Sequence, residues 1–122
     1  MVSVVNRNMI MAKISWQDFE KVDIRVGTVL SAQDFPEARN PAYILTVDFG
    51  DEIGVKKSSA QITDFYDKGD LIGKQVLGVV NFPPKQVGPV MSECLVLGFY
   101  RKDNSVILAI PDGEIANGSR LL

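Results

Sequence analysis

The side chains of this chain that could do covalent chemistry are few. It contains no histidine and a single cysteine, Cys94. Histidine titrates nearest neutral pH and is the commonest general base, so its absence excludes serine–histidine and cysteine–histidine nucleophile systems. One thiol and scattered carboxylates make a poor zinc set. No phosphate loop is present, and no Gly-x-Gly-x-x-Gly follows a strand-like run. Asp48, Asp51 and Glu52 cluster at one turn, a solvated setting where carboxylates serve structure more often than catalysis. No acid, base and nucleophile converge. The expectation is a binding protein that needs no cofactor and is not an enzyme.

The residues that could bind fall into a polar and an apolar group. Arg25 alternates with apolar residues and is expected to face outward, where it either contacts phosphate or a base or pairs with a carboxylate. Lys56 and Lys57 are neighbours in a strand-like run, so they leave on opposite faces and only one can join an RNA patch. Asn81 could read a base edge or a peptide backbone, or cap the chain reversal at Pro83-Pro84. Lys85 lies in a connection and is the best candidate for an anionic ligand. Ser92, with Glu93, either contacts RNA or fixes the entry of the strand that follows.

The apolar group is unusual because loops prefer water. Phe82, Pro83, Pro84, Val87, Val90 and Met91 give a connection apolar enough for a peptide pocket or a dimer surface. Trp16 and Phe19 share one face at helical spacing near the start of the chain, and Leu121-Leu122 end it. A small barrel would struggle to bury these alone, which points to pairing of two copies.

Bulk properties of the chain narrow its partners. Thirteen basic and fifteen acidic residues among 122 give a formal charge of −2. Phosphate binding draws on clustered cations, so any nucleic-acid affinity must come from a local patch. Hydrophobic content of 46% and charged content of 23% are those of a globular chain of single-domain size. No run of about 18 apolar residues is present, so membrane insertion is not expected. A lone cysteine fits a reducing cytoplasm. Residues 1–12 are expected as a disordered leader, since Arg7 and two asparagines break its apolar run, and a single domain is expected over 13–122.

The elements that would position these residues are short and mostly extended. Ser15, with Asp18 three residues on, caps a helix of one or two turns. Val22 to Leu30 reads as a half-buried strand that alternates over its first five residues, with Gly27 suited to a bulge or sharp bend. Tyr43 to Phe49 alternates as a second strand, Gly50-Asp51-Glu52 makes a hairpin turn, and Ile53 to Ser58 returns. Ser59 to Tyr66 has helical spacing. Gln75 to Phe82 reads as a fourth strand stopped by Pro83-Pro84. Cys94 to Tyr100 reads as a fully buried strand, and Ser105 to Ile110 returns after a polar turn. Three strands, a short helix, then two or three strands fit a mainly β fold, a small Greek-key barrel of the OB type with a short N-terminal helix and a short helix between strands 3 and 4.

Several segments resemble the tRNA-binding OB modules, found at the ends of methionyl- and phenylalanyl-tRNA synthetases, in free-standing tRNA-binding proteins and in CsaA proteins. Val22-Asp23-Ile24-Arg25-Val26-Gly27 is similar to their opening strand. Asn81-Phe82-Pro83-Pro84 is similar to their asparagine motif, and Ser92-Glu93-Cys94-Leu95 to their later serine motif. Phe35-Pro36-Glu37-Ala38-Arg39, Asp48-Phe49-Gly50, Lys57-Ser58-Ser59-Ala60-Gln61-Ile62 and Met91-Ser92-Glu93 resemble the CsaA branch in particular. The resemblance implies an OB barrel that pairs as a homodimer through its terminal segments. It also implies a cytoplasmic, export-related chaperone for unfolded precursor polypeptides with tRNA-binding ancestry. Two departures weigh on the tRNA side. Gln86 and Gly88 stand where the general module carries lysine and arginine, and Asn40 stands where the CsaA branch often has lysine.

Overall fold

A computed structural model describes residues 11–122. The leader expected over 1–12 therefore lies outside the described residues, apart from Met11 and Ala12.

The chain begins with α1 (Trp16–Glu20), started by a reciprocal cap. Ser15 Oγ accepts from the Asp18 amide at 3.1 Å, and the Asp18 carboxylate accepts from the Ser15 amide at 3.2 Å. Strand β1 (Ile24–Asp34) is long enough to serve two neighbours. Its first half pairs antiparallel with β4 (Gln75–Val79), from Ile24 opposite Val79 to Thr28 opposite Gln75. Its second half pairs with β2 (Tyr43–Asp48), ending with Asp34 opposite Tyr43. Between Val29 and Ser31 the register shifts, leaving Leu30 unpaired and bending the strand around the core.

The bulge thus falls at Leu30 and not at Gly27. Gly27 sits in regular register opposite Val76, and its missing side chain serves packing. A Cβ there would lie 2.6 Å from Val47 and 2.8 Å from Phe49. A Cβ at Gly78 would lie 2.8 Å from the same Phe49 ring. Phe49, with Leu45, Leu71, Val29, Val47 and Val76, is fully buried and forms the barrel interior.

After β2 the expected hairpin turn is a short helix, α2 (Gly50–Ile53). Asp48 Oδ1 accepts from the Gly50 amide at 2.9 Å, and positive φ at Gly50 and Gly54 admits the turn at each end. Strand β3 (Val55–Ala60) then runs back along β2, with Lys57 opposite Thr46 and Ala60 opposite Tyr43. The helix read over 59–66 does not form. Ser58 and Ala60 instead turn inward, and the ladder to β2 outcompetes a short helical pattern. The helix between the third and fourth strands is α3 (Lys68–Leu71), where Asp70 accepts from the Asp67 amide at 3.3 Å.

The fourth strand ends at Val79, short of Phe82. The apolar connection beyond it is a hairpin of β5 (Lys85–Val87) and β6 (Val90–Ser92). Its two-residue turn, Gly88-Pro89, combines a φ of 54° at glycine with proline's fixed negative φ, which selects the II′ type. The buried strand read over 94–100 is two short pieces, a half-buried β7 (Leu95–Val96) on β4 and an exposed β8 (Gly98–Tyr100) on β9 (Val106–Leu108). Only Cys94 of that run is buried, while Leu95, Phe99 and Tyr100 are exposed. Apolar composition alone could not distinguish an inner from an outer position here.

The main sheet has the order β3-β2-β1-β4-β7 and curls until the segment before β7 meets β3. There Glu93 donates its amide to the Lys57 carbonyl at 2.7 Å. The result is a nearly closed barrel of the OB-fold type. The last residues run beside the first half of β1, with Gly118 donating to Val26, Val26 to Ser119, and Leu121 to Ile24. No helix among the described residues is long and apolar enough to cross a membrane.

Candidate ligand cleft

The barrel seam leaves an opening. Beside the seam, β6 stays against β3, with Ser92 bonded to Ser59, and the β5–β6 hairpin forms one wall of the opening. The resulting cleft, about 570 Å³, is lined by Ser59 of β3 and Gln61 just beyond its end, by Phe82 and Pro83, by Lys85 and Val87 of β5, and by Ser92, Cys94 and Leu95. That volume is in the range of sites that take side-chain-sized or drug-sized ligands. The walls are mainly apolar, no carboxylate lines them, and Lys85 is their one cation.

The seam explains the chemistry of its polar residues. Ser92 Oγ accepts from the Ser59 amide at 3.0 Å, and Glu93 Oε1 accepts from the Lys57 amide at 3.0 Å. Two side chains thus satisfy edge amides that a neighbouring strand would otherwise take. Burial pushes the Cys94 thiol up to about 11, against the opposing pull of the Ser58 hydroxyl and the Lys56 charge. The cleft thiol is therefore neutral near pH 7 and a poor nucleophile.

The sequence-derived residues separate into three places. Lys85, Ser92, Phe82, Pro83 and Val87 meet in the cleft. Pro84 is exposed beside it. Val90 pairs with Val87, while Met91 pairs with Gln86 on the other face of the hairpin and is exposed. Of the adjacent lysines, Lys57 is exposed in the outward row of Ser59, and Lys56 shares the inward row of Ser58. Neither forms an ion pair among the described residues, and nor does Lys85.

Arg25 and Asn81 belong to a second place, where the segment between α1 and β1 meets the C-terminal residues. Arg25 does not project into solvent; its side chain is 14% exposed. Its Nε bonds Asp23 Oδ1 at 2.6 Å, one Nη reaches the Gly118 carbonyl at 3.0 Å, and Glu52 lies at 3.5 Å. The bond to Asp23 is the main reason its pKa is raised. Asn81 accepts from the Asp23 amide at 3.0 Å and donates to the Lys21 carbonyl at 2.7 Å, fastening α1 to β1 and not the Pro83-Pro84 reversal. Arg120 joins them, at 2.8 Å from the Glu20 carbonyl and 3.7 Å from Asp23.

Trp16 and Phe19 form the third place. Their rings touch at 5.7 Å, and Trp16 is 65% exposed with Ile14, Leu121 and Leu122 also uncovered. The cleft residues that the sequence reading passed over are Ser59, Gln61, Cys94 and Leu95. The first two were hidden by the helical pattern, and the last two by a run that looked wholly internal.

Comparisons with known proteins agree with this architecture. The family described as "Putative tRNA binding domain" matches residues 24–120. The crystal structure of chaperone CsaA from Bacillus anthracis is 49% identical, covers 91% of this chain and all of its own, and has a TM-score of 0.85. The CsaA chaperone protein from Picrophilus torridus is 50% identical over 90% of this chain and all of its own, with a TM-score of 0.85. Among curated relatives, the methionine–tRNA ligase of Porphyromonas gingivalis is 34% identical over 108 residues, 88% of this chain. The chain spans only 15% of that ligase's length.

Proposed function

The chain belongs to the tRNA-binding domain family, and we propose that it acts as a CsaA-like chaperone, holding apolar segments of unfolded polypeptides in the cleft between β3 and the β5–β6 hairpin. The observation that carries this reading is the cleft's composition. Phe82, Pro83, Val87, Cys94 and Leu95 offer apolar wall, and no acidic residue lines it. The similarity to two CsaA chaperones over their full length supports the same reading. The clients are unfolded export precursors in the cytoplasm. The module is non-catalytic, since holding an apolar segment requires only burial of its surface. Two copies pair through the exposed termini, where Ile14, Trp16, Leu121 and Leu122 form apolar surface that one barrel leaves uncovered.

The test is suppression of aggregation. A chemically unfolded model protein, diluted into equimolar dimer, should aggregate more slowly, and Leu95→Asp should remove most of that protection without lowering the melting temperature. Equal protection by the variant would end the assignment of the cleft.

A second reading, tRNA binding through Lys57 and Lys85, is favoured by the unpaired state of both cations and by the family itself. Salt separates the two. RNA affinity falls steeply with ionic strength, whereas apolar peptide binding holds or strengthens. No retention of a mixed tRNA pool at low salt would dismiss the RNA reading.

A further inference from the structure

Strand β3 is an edge of the five-stranded sheet, and its outer side is only partly covered. In an antiparallel ladder, alternate residues turn both backbone groups away from the neighbouring strand. On β3 these are the odd-numbered residues, since Lys57 spends its amide and carbonyl on Glu93. Ser59 gives its amide to Ser92 Oγ. The Ser59 carbonyl and the Gln61 amide are left without a hydrogen bond among the described residues. Both residues line the cleft.

An acceptor and a donor two residues apart, at the last residues of β3 and just beyond it, match the main chain of another extended segment. The apolar wall lies alongside, where alternate side chains of such a segment would point. We infer that the ligand enters as an added β-strand: its backbone pairs with the Ser59 carbonyl and the Gln61 amide, and every second side chain packs against Phe82, Val87 and Leu95. This deepens the peptide-binding reading and rests on it. Backbone pairing is common to all sequences, so affinity would depend on extended conformation and on alternating apolar residues more than on any one motif. A segment held as a helix spends its interior backbone groups on itself and cannot lie as a strand along this edge, so it is excluded.

The probe is a capped octapeptide of alternating leucine and serine, measured against the full chain. N-methylation removes a backbone donor without changing side chains. Because leucine must face the cleft, the register parity is set, and only one of the two sets of amides can face β3. Methylating every amide of that set should weaken binding about tenfold, and methylating every amide of the other set should leave it within about twofold. Equal effects for the two sets would overturn strand addition while leaving peptide binding in place. On the protein side, Gln61→Pro removes an amide that the fold itself does not use. It should keep the melting temperature and weaken the unmodified octapeptide about three- to tenfold. Unchanged affinity for a folded Gln61→Pro would also overturn the proposal. If the unmodified octapeptide does not bind, the peptide-binding reading falls with it. If Gln61→Pro instead splits a dimer seen by light scattering, the edge belongs to a second copy and not to a client.

Discussion

Glu93 meets Lys57 twice, donating its own amide to the Lys57 carbonyl at 2.7 Å and accepting the Lys57 amide on its carboxylate at 3.0 Å. With Ser92 beside it, which accepts the Ser59 amide, Glu93 closes the barrel by one backbone bond and by side chains that stand in for a strand. Glu93→Ala should remove the acceptor and destabilise by about 1–2 kcal/mol, while Glu93→Gln, which keeps an oxygen in place, should recover part of the loss. Urea denaturation of the three proteins measures this. Identical midpoints would show that the carboxylate adds nothing to closure.

Phe49 sets the spacing of the strands around it. Gly27→Ala should force a methyl to within 2.6 Å of Val47 and 2.8 Å of Phe49. The expected destabilisation is about 1–3 kcal/mol. Adding Phe49→Leu to Gly27→Ala should cost less than the sum of the two single changes, because the smaller side chain vacates the contact. A strictly additive double mutant would place the strain elsewhere.

Cys94 makes an alkaline prediction. Its folded pKa is raised from 9.0 to about 11 by burial, so between those values the unfolded chain has released a proton that the folded chain keeps. Stability is unaffected by this group below pH 9 and falls as pH rises toward 11, by up to about 2–3 kcal/mol. Cys94→Ala should be less stable at pH 7 because of the lost volume, yet show a shallower decline above pH 9. Parallel curves for the two proteins would mean that the thiol ionises freely in the fold.

Arg25 links the barrel to its tail. Through Asp23 and the Gly118 carbonyl it holds the last residues against β1. Arg25→Ala should leave Asp23 half-buried without its main partner and destabilise by about 1–3 kcal/mol. Hydrogen exchange should quicken first at the amides of Gly118 and Leu121, which donate to β1. Protection lost evenly across the whole barrel would argue against a local role.

Much of the architecture was legible because it follows from local pattern. The alternation of Tyr43, Leu45, Val47 and Phe49 specifies a strand with one buried face, and Ser15 with Asp18 specifies where the first helix starts. The missing histidine excluded whole classes of chemistry before any fold was known, and the ordered motifs from Asp23 to Leu95 pointed to the family. What could not be read locally was how each apolar or polar residue is used. Ser59 to Tyr66 has helical spacing, but hydrogen bonds to β2, distant in sequence, extend the strand to Ala60. Cys94 to Tyr100 is apolar throughout, yet only the closure of the barrel decides that Cys94 goes inside and Phe99 outside. The candidate binding residues divide in the same way. Composition identified Lys85 and Phe82, while the tertiary structure committed Arg25 and Asn81 to holding the tail and the segment after α1, and opened a cleft beside the end of β3. Side-chain type and spacing constrain what a residue can do, but burial and hydrogen-bond partners come from segments far away in the chain, so its role is settled only when those segments meet.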